Sequence, residues 1–262
     1  MVIKLHDLVA QKPGGPFFSP FCATARCALL AKGVDFETVE VTYDDLRFHW
    51  SPKLGVKKAT APIIELEDGT CIMDSVEIAK WLDKTYPDRT SLFLPEASLP
   101  VDVNSEEYQN AVAAYPAFDK LPGVQAMHEH LFALWAPPLT KTFVKETAEY
   151  WTSDERLGQG VYAKIASRTA EQDAESIERV KQTLIELSQT VFANGRQFLA
   201  SPTTPGMEDV SLYGWYRTPR SVAASIAAQT FEASEAGEFP RWLERMKERF
   251  PLEEQCARDV KD

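Results

Sequence analysis

A helix opened by Ser19-Pro20 and closed at Gly33 stands between two strand-like segments, and that order restricts the fold of this chain more than any other feature. Before it, Val2, Ile3 and Leu5 mark a short buried strand over 2–5. After it, Phe36-Glu37-Thr38-Val39-Glu40-Val41 alternates as a strand does. Strand, helix and strand in this order predict a parallel pair joined by a right-handed crossover. The helix itself is well punctuated. Serine is a favoured N-cap, proline fits the first helical position because its missing N–H would have no partner there, and glycine suits a left-handed C-terminal residue. Counting these signals gives a helix of about 13 residues with Phe21, Ala25, Ala28 and Leu29 on one side.

The next forty residues complete the unit. Asp44 to Trp50 reads as a short helix broken by Ser51-Pro52. Ala61-Pro62 leads into Ile63-Ile64-Glu65-Leu66, and the Asp68-Gly69 turn joins that run to Cys71-Ile72-Met73 as a hairpin. Asp74-Ser75-Val76-Glu77 then has the spacing of an N-cap with a glutamate three residues on. Ile78, Trp81 and Leu82 continue it as an amphipathic helix that ends before Pro87.

At 262 residues the chain is long enough for two modest domains, and beyond Leu92-Phe93-Leu94-Pro95 its patterning is helical almost throughout. A helical stretch from Asn104 to about Trp135 is interrupted at Pro116 and Leu121-Pro122-Gly123, and Pro137-Pro138 is expected to stop it. Phe143 to Leu157 should form a helix ended by Gly158. Ser176 to Phe192, with Ile177, Val180, Leu184, Leu187 and Val191 in one stripe and Asn194-Gly195 as its stop, reads as bundle core. Trp242, Leu243 and Met246 share a face of a last helix.

Several function classes drop out on composition. A net charge of −11 argues against binding nucleic acid or an anionic membrane. No apolar run approaches the ~20 residues of a membrane helix, and the N-terminus lacks a signal-peptide pattern, so a cytoplasmic protein is expected. Cys22, Cys27, Cys71 and Cys256 have neither disulfide-scaffold density nor metal-ligand spacing, and His128 and His130, two residues apart, point in different directions on a helix. No metal site is expected. Lys12-Pro13-Gly14-Gly15-Pro16 has neither a phosphate-loop lysine nor a dinucleotide pattern.

Chemistry concentrates at Ser19. Unpaired amides and the positive end of a helix dipole surround its hydroxyl, which favours an anion or thiolate there, although Ser19 read alone is a cap. Cys22 is the rival nucleophile, with a small buried packing role as its alternative.

The order strand, Ser19-Pro20-Phe21-Cys22 at a helix start, strand, Ala61-Pro62-Ile63-Ile64 before a strand, and Asp74-Ser75 opening a helix resembles the thioredoxin-fold half of a cytosolic glutathione transferase. The first tetrapeptide is similar to the glutaredoxin CPFC motif with serine in place of the first cysteine. The IKLHDL opening, the ALLAKGVDF run, the WLDKTYPDR block, the ERLG near residue 157 and the EDVSLYG segment resemble fungal etherase-like transferases and bacterial lignin β-etherases. The resemblance implies an α/β (α+β) architecture: a thioredoxin-like domain with a four-stranded mixed sheet over residues 1–92, a linker over 93–102, and an all-helical domain over 103–262. Pro62 should follow a cis peptide bond. Asp209 should stabilise a buried helix capped at Gly206, where relatives carry Ser or Thr.

The implied activity is glutathione transfer. Ser19 would hold the thiolate, Asp74 and Ser75 the γ-glutamyl group, the Ala61 backbone beside Pro62 the cysteinyl part, and Lys58 the glycyl carboxylate. A hydrophobic aromatic substrate, an aryl ether among the candidates, would sit between the domains against Phe18, Tyr213 and Trp215, with peroxide reduction as a side activity. A homodimer is implied. A ligandin that binds phenolic molecules without turnover, or a thiol transferase using Cys22, are the other readings.

Overall fold

The computed structural model describes residues 2–115, 123–192, 195–251 and 253. Pro116, Leu121-Pro122, Asn194 and Cys256, all used in the sequence reading, lie outside the described residues.

Four strands form one mixed sheet in the order β2-β1-β3-β4. Strand β1 (Ile3–Leu8) precedes helix α1 (Pro20–Ala31), and β2 (Phe36–Val41) pairs parallel to β1 with Ile3 opposite Phe36. The parallel pair expected from the sequence is therefore present, with α1 between its strands. After α2 (Tyr43–Asp45), a π-helical turn over Leu46–Trp50 and α3 (Ser51–Leu54), the antiparallel hairpin β3 (Ile63–Glu65) and β4 (Cys71–Met73) adds to the other edge of β1. Helix α4 (Ser75–Thr85) returns over the sheet.

Two local expectations fail for stated reasons. The first strand runs three residues further than its apolar pattern, because its polar members acquire partners: His6 Nε2 meets Glu65 Oε2 at 3.1 Å, and the buried Asp7 carboxylate pairs with Arg26. Pro52 does not end helical structure. The Ser51 N–H closes the π turn on the Leu46 carbonyl, and Pro52 occupies an early position of α3, where a missing N–H breaks no bond.

The remainder is helical: α5 (Glu106–Ala114), α6 (Val124–Thr140), α7 (Lys145–Trp151), α8 (Asp154–Leu157), α9 (Val161–Ala166), α10 (Ala170–Val191), α11 (Met207–Val222), α12 (Ala224–Gln229) and α13 (Phe239–Arg249). Pro137 and Pro138 fall inside α6 rather than after it. Burial of Ala136 and Leu139, and the Thr140 hydroxyl on the Ala136 carbonyl at 2.8 Å, hold that last turn. The helix expected over 143–157 is divided, and α10 starts six residues earlier than its apolar stripe, at a capping box between Thr169 and Gln172.

Helix α11 is the spine of the helical domain and rests on α1. Gly214 makes that approach possible, since a Cβ there would collide with the Pro20 carbonyl and come within 2.7 Å of Thr24 Oγ1. The start of α11 explains the absent Ser or Thr cap. A side chain on Gly206 would meet Ala200 Cβ at 2.5 Å and the Leu92 carbonyl at 2.9 Å, so capping falls to Asp209. Its fully buried carboxylate accepts the N–H groups of Leu199, Ala200 and Gly206 and the Trp242 indole N–H, all between 2.8 and 3.0 Å.

Two buried ion networks tie the halves together. Lys32 at the end of α1 meets Asp83 on α4 at 2.7 Å, and Asp83 also takes the Ser91 hydroxyl, the Leu92 N–H and the Tyr108 hydroxyl. Arg26 pairs with Asp7 on one side and, at 2.7 and 2.9 Å, with Glu253 on the other.

Candidate active site

Ser19 caps α1. Its backbone is extended, with φ −78° and ψ 120°, and its Oγ accepts the Cys22 N–H at 3.3 Å. The residues just before it are clamped from α11: Thr218 Oγ1 donates to the Phe18 carbonyl at 2.9 Å and Ser221 Oγ to the Phe17 carbonyl at 2.7 Å. The end of the α1 dipole is thus held by the helical domain as well as by its own.

Cys22 is fully buried one turn into α1. Burial and the neighbouring Asp7 carboxylate push its thiol well above the usual range, against hydrogen bonds from Ser19 and the Leu8 backbone. A thiol so placed stays protonated at neutral pH and has no access to solvent.

A cavity of about 300 Å³ opens beside Ser19. Ser19, Lys58 and Ala61 form one wall, and Phe18 and Trp215, two of the aromatic residues expected at the second-substrate site, also line it. Tyr213 does not. It lies two residues before Trp215 on α11 and is fully buried against Tyr216 and Trp242, because residues two apart on a helix face different directions.

The Ala61–Pro62 peptide is cis. Beyond it the Asp74 N–H donates to the Pro62 carbonyl at 3.1 Å, which sets the start of α4 against this corner of the cleft. Asp74 Oδ1 caps α4 by accepting from Val76 N–H and Glu77 N–H. Asp74 is also the non-glycine residue with positive φ, 87°, among the described residues. Such a backbone costs about 1–3 kcal/mol and is retained where its surroundings fix it, often at functional sites. Exposed Asp74 and buried Ser75 lie side by side at the helix N-terminus, near Pro62 but outside the lining of the cavity.

The far wall was not assigned from sequence. Tyr43 and Arg47 reach it from the segment after β2, Phe132 and Trp135 from α6, Tyr150 and Trp151 from α7, and Arg156 from α8. Arg156 had appeared only inside a family-like tetrapeptide. No local pattern links residues more than 100 positions apart, so their convergence needed the fold. Among the described residues no group of His, Cys, Asp and Glu could hold a metal ion, and no helix is long and apolar enough to cross a membrane.

Comparison with known proteins agrees with this geometry. Residues 17–90 match the N-terminal domain family of glutathione S-transferases. A glutathione S-transferase of Ceriporiopsis subvermispora solved in complex with glutathione is similar over 95% of this chain and 98% of its own, at 21% identity and a TM-score of 0.73. The glutathione transferase GSTFuA3 of Phanerochaete chrysosporium is similar over 95% and 97%, at 20% identity and a TM-score of 0.69. The β-etherase LigF of Sphingobium is similar over 98% and 100%, at 15% identity and a TM-score of 0.60. With its thioredoxin-like, four-stranded N-terminal domain and its all-helical C-terminal domain, the chain has the glutathione transferase fold, and its residues 17–90 match the N-terminal domain family of those proteins.

Proposed function

We propose that the protein is a serine-type glutathione transferase that joins glutathione to hydrophobic aromatic electrophiles. One observation carries the reading: the hydroxyl at the N-cap of α1, that of Ser19, lines a cavity walled by aromatic side chains, while the thiol below it is buried and held protonated. A hydroxyl donor and a helix dipole both favour a thiolate at that spot. A charge-assisted hydrogen bond is worth about 1.5–3 kcal/mol, and each pKa unit is about 1.4 kcal/mol, so one or two units off a thiol near 8.5 is within reach.

Glutathione would lie along Ser19, Ala61 and Asp74. The Ala61 backbone beside cis-Pro62 would pair with its cysteinyl part, Asp74 and Ser75 at the start of α4 with its γ-glutamyl group, and Lys58 with its glycyl carboxylate. The similar transferase of Ceriporiopsis subvermispora was solved in complex with glutathione, which supports the co-substrate. In the reaction the thiol proton leaves to solvent and the sulfur lone pair forms a C–S bond. The bond from that carbon to its leaving group breaks, and the leaving group, a halide or a phenolate, departs with the electron pair. Aryl ethers are included because LigF is a β-etherase of the same fold. As a side reaction, two glutathiones reduce a hydroperoxide to an alcohol and water and are themselves oxidised to the disulfide. A cytoplasmic homodimer completes the proposal.

Steady-state assays with glutathione and a chloronitrobenzene, an isothiocyanate, a hydroperoxide and a β-aryl ether test it. Conjugation of at least one aromatic substrate is expected. Binding of aromatic molecules without turnover of any would overturn it in favour of a ligandin, and glutathione-dependent thiol transfer abolished by Cys22→Ser would overturn it in favour of a cysteine-type enzyme.

A further inference from the structure

The far wall of the cavity carries hydrogen-bond donors without acceptors. Tyr43 Oη accepts two bonds at 3.2 Å, from the Trp151 indole N–H and from Arg156 Nη2. A phenol oxygen has two acceptor positions and one proton, so with both acceptor positions filled the Tyr43 hydroxyl can act only as a donor to a further group. Trp135 is only 5% exposed, and its indole N–H is buried with no partner. The Nε–H of Arg156 is likewise buried with no partner, and among the described residues no carboxylate pairs with this guanidinium. An unmet buried donor costs about 1–3 kcal/mol, more when charged, so a ligand acceptor that meets the Trp135 and Arg156 N–H groups is strongly favoured, and the Tyr43 hydroxyl can donate to the same acceptor.

The charges agree with the donors. Arg47, Lys58 and Arg156 line the cavity, and no aspartate or glutamate does, although the chain as a whole carries a net charge of −11. The Arg156 guanidinium lies over the Tyr43 and Trp151 rings, 5.3 and 5.6 Å from their centroids, and Arg47 lies 4.0 Å over Tyr150. These stacks hold both cations against aromatic faces; Arg47 has Asp44 as a partner at 3.8 Å, whereas Arg156 has no carboxylate partner among the described residues.

We propose that the second substrate is an aromatic carboxylate whose ring lies among Phe132, Trp135 and Trp215 and whose carboxylate is received by Tyr43, Trp135 and Arg156. A carboxylate is all acceptor and has room for about four donors, so it can satisfy the three together; a neutral amide or ester oxygen has about two positions and no charge for the guanidinium. The assignment rests on the transferase reading only for what happens next: with the acid end anchored on the far wall, the ring is left toward Ser19, where the sulfur would attack.

The test uses a matched pair, para-chloro-dinitrobenzoate and the corresponding benzamide. Both carry the same activated aryl chloride and differ in charge. Binding is read from quenching of the cavity tryptophans, and conjugation from chloride release with glutathione. The acid is expected to bind about tenfold tighter than the amide, the scale of one charge-assisted hydrogen bond near solvent. Arg156→Gln and Trp135→Phe should each bring the acid-to-amide ratio toward one, and Arg156→Lys, which keeps the charge without the planar fork, should restore part of it. Equal binding of the two by the unaltered protein, or a ratio unchanged in Arg156→Gln, would overturn the assignment. Preferential binding of the acid with no conjugation of either compound or of any substrate in the panel above would uphold the carboxylate site and sink the transferase reading; conjugation without preference would do the reverse.

Discussion

Gly214 faces the carbonyl of Pro20 so closely that the first turn of α1 and the middle of α11 meet backbone to backbone. Even a methyl group must move one of them, and the turn that would move carries Ser19. Gly214→Ala is therefore expected to cost about 1–3 kcal/mol through overpacking, lowering the melting temperature by several degrees. It should also raise the KM for glutathione. Thermal denaturation and glutathione titration of the variant check both.

Ser19 and Cys22 predict opposite outcomes. Removing the Ser19 hydroxyl should lower kcat at neutral pH and raise the pH midpoint of thiolate formation by bound glutathione by about one to two units. Ultraviolet thiolate absorbance against pH reads that midpoint directly. Cys22→Ala, which deletes a buried thiol and leaves the N-cap in place, should retain most of the activity; loss of turnover with the midpoint unchanged would place the chemistry on sulfur instead.

Asp209 holds four donors in a site with no access to water. In Asp209→Asn the amide nitrogen would present hydrogens to donors wherever it lay. Leaving such groups unpaired is expected to destabilise the protein by about 3 kcal/mol or more, read as a fall in the urea midpoint.

His128 stacks face to face on Trp215, with ring centroids 3.8 Å apart, and burial lowers its pKa to about 4. The folded state thus prefers the neutral ring. Its contribution to stability is complete above the ordinary histidine value near 6.5 and is lost as the pH falls from there toward 4. In the unaltered protein stability should decline across that window, and His128→Phe should flatten the decline. Denaturant midpoints at several pH values decide it.

What could be read from the sequence was what short-range chemistry decides. The Asp68-Gly69 turn, the Asp74 cap and the Ser19-Pro20 start need only their immediate neighbours, and their elements stand close to where the pattern put them. The central strand was cut short because His6 and Asp7 look solvent-facing until Glu65 and Arg26 supply partners from elsewhere. Trp215 and Tyr213 were indistinguishable in a row of aromatics, since only the orientation of α11 decides which of them meets the cleft. The wall formed by Tyr43, Trp135 and Arg156 has no signature shorter than the fold itself.

Arg26 belongs to the first helix, yet it takes a carboxylate from β1 and another, in a two-bond clasp, from Glu253 near the other end of the chain. The thioredoxin-like half is consequently not a transferable module. A chimera that grafts it onto the helical half of a relative brings a buried guanidinium whose second counter-charge stays behind. Recombination of this chain with a relative should keep its stability only where residues 26 and 253 are inherited together.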